Sequence, residues 1–250
     1  MRLRPEQLAQ HLGQGLLPIY VVAGEEPLLI EESLDAIRAR ARQDGYTERE
    51  VHEVERGFDW SRLLGSCASL SLFASRKIVE LRLPKGPNPG RGRAADESED
   101  DGEDAGAGAA QKVDGARLLA ELAQRPPQDV LLLVSTGKLD HRQQQAAWYV
   151  ALESAGAAVY AAPITLERWS AWVAQRLRAA GVRADDEAVQ LLAERTEGNA
   201  LAARQDIDKL ALLYPQATVG VEQVRIAVAD SARFDAFDLG DRMLGGDAAG

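Results

Sequence analysis

Residues 129–135, DVLLLVS, place five large apolar residues in a row with no polar residue between them. A half-exposed strand alternates, whereas a strand that is apolar throughout must be covered on both faces. Two further short runs read the same way: residues 16–23, LLPIYVVA, which end at Gly24, and residues 156–162, GAAVYAA, which end at Pro163. After the first run comes EEPLLIEESLDAIRARARQ, with Ile30, Leu34, Ile37 and Ala41 on one helical face and Pro27 in a first-turn position. Buried strand, glycine turn, helix is the opening of an α/β unit.

Further elements follow the same alternation. Residues 49–55 read as a weakly alternating strand, and residues 59–67 as a short helix capped by Asp59. Residues 77–83, KIVELRL, form a strand stopped by Pro84; helices are expected over 113–125 and 143–155. Beyond Pro163 the pattern is helical only. Leu166, Trp169, Val173 and Leu177 make one stripe, and Asp185 or Asp186 caps a second helix bearing Val189 and Leu192. A third starts near Asn199 and shows Ile207, Leu210 and Tyr214; a fourth carries Val221, Val224 and Val228. The expectation is an α/β parallel-sheet domain over residues 1–162, followed by all-helical parts. The abrupt ending in GGDAAG after FDAFDLGDRML suggests a fragment whose last helix or domain is missing.

Charge is uneven. Seven acids and no base lie between Asp96 and Asp104, and taking those seven away from the formal net charge of −10 leaves −3. A strong phosphate-binding surface would need clustered Lys and Arg. Residues 84–115 are rich in Gly, Pro, Ala and acid and hold a single Val as their only large apolar residue. Such a segment buries too little to offset its ordering entropy, so a disordered acidic insertion is expected at about residues 86–112. Cys67 is the only cysteine, which excludes an intrachain disulfide and fits a reducing, cytoplasmic setting. There is no signal-peptide core and no apolar run of about 18 residues that would span a membrane.

The first strand–helix turn is where a phosphate-binding loop would sit. The pattern G-x-x-x-x-G-K-[ST] needs glycines for close backbone approach and a Lys for the phosphates. From Gly24 the chain instead gives Glu25, Glu26 and Pro27, with the second Gly and the Lys absent. Two carboxylates hold the helix end that attracts anions, and Pro27 removes an N–H donor. Gly24, Glu25, Glu26 and Pro27 therefore read as a degenerate nucleotide site, without ATP hydrolysis and without a cofactor.

No other catalytic constellation is spelled out. His11, His52 and His141 are scattered, lack metal-ligand spacing and are expected at the surface. Cys67 reads as an inert, half-buried thiol. Asp185 and Asp186 fit either a helix cap or a carboxylate pair, and Trp169 and Trp172 either a core stripe or a base-stacking platform. Leu72 and Phe73 also have two readings. They can drop into the core beside the following strand. Alternatively, with Ser69, Ser71 and Ser75 around them as turn formers, they can stand exposed as an anchor for a partner's pocket.

GEEPLLIEES at residues 24–33, the Trp60 helix, SLFASRKIVEL at 71–81, LLLVSTGKLD at 131–140 and EGNALAARQDIDKL at 197–210 occur in this order. Together they resemble the delta subunit of the bacterial DNA polymerase III clamp loader, over nearly the whole chain except the acidic insertion. The resemblance implies an AAA+-like fold with no functional ATP site, a helical lid over residues 163–215 and the start of a helical collar over 216–250. It implies binding to the ring-shaped sliding clamp (the beta subunit) through Leu70, Ser71, Leu72 and Phe73, with Leu72 and Phe73 entering a hydrophobic pocket. The further partners it implies are the gamma/tau and delta prime subunits, and DNA only in the assembled loader.

Overall fold

The computed structural model describes residues 1–68, 75–84, 86–87 and 114–232. Leu70, Ser71, Leu72 and Phe73 lie outside the described residues, as does the acidic insertion apart from residues 86 and 87. The chain divides into two units, Met1–Pro163 and Ile164–Gly250.

The first unit is built on six parallel strands in the order β1-β6-β2-β5-β4-β3. They are β1 (Arg2–Leu3), β2 (Ile19–Gly24), β3 (Glu48–Glu53), β4 (Lys77–Leu83), β5 (Val130–Thr136) and β6 (Ala157–Ala161). The three apolar runs of the sequence become the three central strands. Val21 of β2 pairs with Val134 of β5 on one side and Ala158 of β6 on the other. Because every neighbour is parallel, helices must carry the chain back and cover both faces.

Side-chain alternation divides the core in two. Tyr20 and Val22 of β2, with Leu131 and Leu133 of β5, face α1 (Pro5–Gln14) and α2 (Pro27–Gln43), meeting Leu8, Leu34 and Ile37. Ile19, Val21 and Ala23, with Leu132 and Val134, face the opposite way. There they meet α3 (Trp60–Ala68), α4 (Gly115–Gln124) and α6 (Ala147–Ala155), through Leu63, Leu119 and Trp148. Close backbone approach fixes one residue here. A Cβ on Gly156 would lie 2.0 Å from the Ile19 carbonyl oxygen, so β6 can enter beside β2 only with glycine at that point.

The α/β class and its AAA+-like parallel sheet match the expectation from sequence. Several local differences have physical reasons. The expected helix over 143–155 is two: α5 (His141–Gln144), closed by a capping box between Asp140 and Gln143, and then α6. The pair β1 and α1 was not expected, because only Leu8 and Leu12 mark the buried face of that helix.

In the second unit, α7 (Leu166–Ala179), α8 (Asp186–Arg195), α9 (Ala200–Leu213) and α10 (Val221–Ala232) take the four helical stripes. A two-residue parallel pair, β7 (Arg183–Ala184) with β8 (Thr218–Val219), is added to them. The EGN sequence has a local explanation. Gly198 takes φ 76°, and Asn199 then caps α9 by accepting from the Ala202 N–H at 2.9 Å.

Candidate functional site

In open α/β sheets, ligands bind outside the carboxyl ends of the strands, where neighbouring connections leave on opposite faces. Here α2 leaves β2 on one face, and the chain after β5 packs α6 on the other. Gly24 ends β2 at this point with φ 156°, and an added Cβ would lie 2.1 Å from the Ala161 carbonyl oxygen. The turn that follows is tied to that same oxygen. The N–H of Glu25 donates to it at 2.9 Å and that of Glu26 at 3.3 Å. A phosphate cradle needs such N–H groups directed at the ligand, and these two are directed at the sheet. Pro27 occupies the first helical position and has no N–H to offer. Across the crevice, Lys138 of the β5–α5 loop donates to Glu25 Oε2 at 2.9 Å. That hydrogen bond and the Glu25 charge raise the Lys138 ammonium above its ordinary value. The four residues Gly24, Glu25, Glu26 and Pro27 are thus brought together, in a turn closed by the Ala161 carbonyl of β6 and by one ion pair.

Glu80, the carboxylate within β4, is fully buried and serves as an ion-pair centre. Arg38 of α2 donates through Nη2 to Oε1 at 2.8 Å and through Nε to Oε2 at 3.1 Å. Arg49 of β3 donates through Nε at 2.9 Å and Arg82 through Nε at 3.3 Å. Burial alone would raise the Glu80 carboxyl. The hydrogen bonds and charge of Arg38, and then of Arg49, outweigh it and hold the group below the usual carboxylate range.

On the opposite face of the same two edge strands a second polar cluster joins β3, α3 and β4. Ser66 Oγ donates to Glu50 Oε1 at 2.6 Å, His52 Nε2 lies 2.9 Å from Ser66 Oγ, and Lys77 Nζ donates to Glu50 Oε2 at 3.4 Å. A serine, a histidine and a carboxylate invite comparison with a nucleophilic relay. In such a relay the carboxylate holds the ring nitrogen that does not face the serine. Here Glu50 lies 3.2 Å from His52 Nε2, the same nitrogen that faces Ser66, and the serine hydroxyl has two other acceptors, Glu50 Oε1 at 2.6 Å and the Arg62 carbonyl at 3.0 Å. The cluster is structural. Burial would raise the Glu50 carboxyl, but Ser66, His52 and Lys77 together bring it below its ordinary value. His52 is therefore not the surface residue expected, its side chain being only 11% exposed. Cys67 is buried and its thiol is pushed up to about 11 by that burial, which makes it a poor nucleophile at neutral pH.

The remaining candidates settle into structural roles. Asp185 accepts from the Ala188 N–H at 2.7 Å as the cap of α8. Trp169 is buried, and its Nε1–H donates to the Ala193 carbonyl. Trp172 stacks on Trp169 at 5.2 Å and carries the Arg176 guanidinium 4.9 Å from its ring centre. Among the described residues no group of three His, Cys, Asp or Glu side chains could hold a metal ion, and no helix is long and apolar enough to cross a membrane.

A six-stranded parallel sheet with a sealed first strand–helix turn, followed by a mainly helical unit, defines an α/β protein with a parallel-sheet domain. Its fold is shared with the Bacillus subtilis DNA clamp loader delta protein, at TM-score 0.60 and 15% identity over 89% of this chain and 61% of that one. The family described as DNA polymerase III, delta subunit, matches residues 20–98. The DNA polymerase III subunit delta of Escherichia coli K12 is 34% identical over 98% of this chain and 65% of its own length. That of Haemophilus influenzae is 32% identical over 99% of this chain and 66% of its own. The chain therefore spans just under two thirds of the length of these curated relatives. It is homologous to the DNA polymerase III delta subunit, the family that its sequence resembles.

Proposed function

We propose that this chain acts as the delta subunit of a DNA polymerase III clamp loader. In that role it binds the sliding clamp, the beta subunit, and opens its ring for loading onto primed DNA during replication. The observation that carries the reading is homology to delta subunits along 98% of the chain. The sealed turn at Gly24, Glu25, Glu26 and Pro27 supports it. A subunit that pulls on the clamp needs the AAA+ shape and not the hydrolysis, so those four residues are the remnant of a nucleotide site that takes no cofactor.

The clamp contact is assigned to Leu70, Ser71, Leu72 and Phe73. Such a contact can shift the ring only by binding its open form more tightly than its closed form. Residues 163–215 serve as a lid and 216–250 as the beginning of the collar, through which gamma/tau and delta prime subunits assemble. DNA is met only in the assembled loader. The protein is a non-catalytic, cytoplasmic component of a DNA-directed DNA polymerase holoenzyme and needs no membrane.

Two measurements test this. The purified chain mixed with purified clamp is expected to co-elute from a sizing column ahead of either protein alone. ATP titrated into the chain in a calorimeter is expected to give no binding heat. Separate elution would overturn the clamp-binding assignment. Heat with turnover of ATP would replace the reading with a divergent AAA+ ATPase.

A further inference from the structure

Tyr20 of β2 is fully buried, and its phenolic hydroxyl has two polar neighbours. The Leu17 N–H donates to Oη at 3.2 Å, and His11 Nε2 of α1 lies 3.0 Å from it. A buried O–H needs an acceptor, and among the described residues the imidazole is the one it has. That assigns the protons. Tyr20 donates to Nε2, so the ring is neutral and carries its own proton on Nδ1. His11 is thus half-buried, edge-on to Tyr20 with ring centres 5.8 Å apart, and is not the surface residue expected from the sequence.

The surroundings oppose a second proton on the ring. Burial, and then the charge of the Met1 ammonium, lower His11 below its ordinary value. On the α2 side stand Arg40 and Asp44, which bear on Tyr20 with opposite signs and are tied to each other at 3.1 Å. Among the described residues no carboxylate pairs with the imidazole. The helix that carries it is lightly held. Leu8 and Leu12 are the residues α1 buries, and Arg40 Nη1 donates to the Leu12 carbonyl near its end.

We propose that His11 and Tyr20 form an acid-sensitive latch for α1, closed by the neutral imidazole and opened by its protonation. A protonated ring donates from both nitrogens. The Tyr20 O–H then loses its acceptor inside the core, while the new charge sits half-buried beside another cation. The C-terminal half of α1 and the connection through Leu17 open locally, and the central strands stay folded. The folded His11 value is the lower one, so the contribution of the latch is fully present above the unfolded value of about 6.5. It is lost as pH falls through the folded value. Carboxylates with ordinary values of about 4 are still charged at pH 5.5, so the latch opens before the Glu80 ion pairs weaken.

Amide hydrogen exchange of the full chain, read by mass spectrometry at pH 7.5 and 5.5 and corrected for the intrinsic rate, tests this. Opening of α1 is expected to rise about tenfold or more at the lower pH, the effect of one orphaned buried hydroxyl, with β5 unchanged. His11→Gln offers a carbonyl acceptor that does not titrate and should abolish the rise. Tyr20→Phe removes the donor, so the rise should shrink and the His11 titration, followed by NMR, should move up toward its ordinary value. Exchange in α1 that does not respond to pH in the parent would overturn the proposal. So would an equal rise in His11→Gln, or a His11 titration that Tyr20→Phe leaves in place. His11→Gln changes a half-buried helix residue, so it carries the test should Tyr20→Phe fail to fold.

Discussion

Replacing Glu80 by Ala is expected to cost about 3–5 kcal/mol of folding free energy, the range for breaking a buried ion pair from one side. Arg38 explains the size. Its side chain is 8% exposed, so without Glu80 a guanidinium stays buried and loses its bidentate partner. Asp35 at 2.7 Å and Glu31 at 3.8 Å remain near it, but both are largely exposed and screened by solvent. They therefore offset only a small part of that loss. Arg49 and Arg82 are less committed, because each is already about two-fifths exposed and can turn outward.

The paired change Glu80→Leu with Arg38→Met should restore most of the loss. Buried ion pairs replaced by apolar groups of similar volume are often neutral. Urea denaturation of the three chains measures this, and a Glu80→Ala chain within about 1 kcal/mol of the parent would contradict it. The pH dependence follows from the same geometry. The folded Glu80 carboxyl is held below its ordinary value, so its contribution is fully present above the unfolded carboxylate value of about 4.3. It is lost as pH falls through the lower, folded value. Glu80→Gln should flatten that acid limb of the stability curve.

Glu80 also marks how far the sequence could be read. KIVELRL was legible as a strand because its apolar residues set the period. The main partners of its carboxylate were not, since Arg38 and Arg49 come from two other elements. Buried strands and amphipathic helices leave a local trace, and β2, α2, β4 and β5 fall close to where periodicity puts them. Elements held by few apolar residues leave almost none, as with β1, α1 and the β7–β8 pair. The strand EREVHE shows a third case. Its alternation looks poor because charged groups fill both faces, Arg49 toward Glu80 and Glu50 with His52 toward Ser66. His52 consequently passed for a surface residue. At the Gly24 turn the two carboxylates and the proline were visible in the sequence, since helix-end electrostatics are local. The carbonyl of Ala161 and the ammonium of Lys138 that seal it come from distant chain, and only the fold brings them there.

The largest expected effect on function comes from Leu72→Ala combined with Phe73→Ala. Fully burying each side chain against a partner is worth roughly 1.5–3 kcal/mol. Truncating an anchor that fills a pocket removes about 2 kcal/mol or more. Each single change should therefore weaken clamp binding by about thirtyfold. The pair should approach a thousandfold if the two side chains act independently, and less if they share one pocket. The loss should lie mainly in a faster off-rate, because removing an apolar anchor leaves diffusional encounter unchanged. Ring opening should fall further than ring binding if the contact favours the open interface, since only differential affinity for that form can shift the ring. Surface-immobilised clamp gives the rates, and a fluorescent pair placed across the clamp interface reports opening. Urea denaturation of the same variants separates contact from fold: a double variant as stable as the parent, with undiminished clamp affinity, would remove Leu72 and Phe73 from the contact. A double variant that lost stability in proportion to its affinity would return both residues to the core.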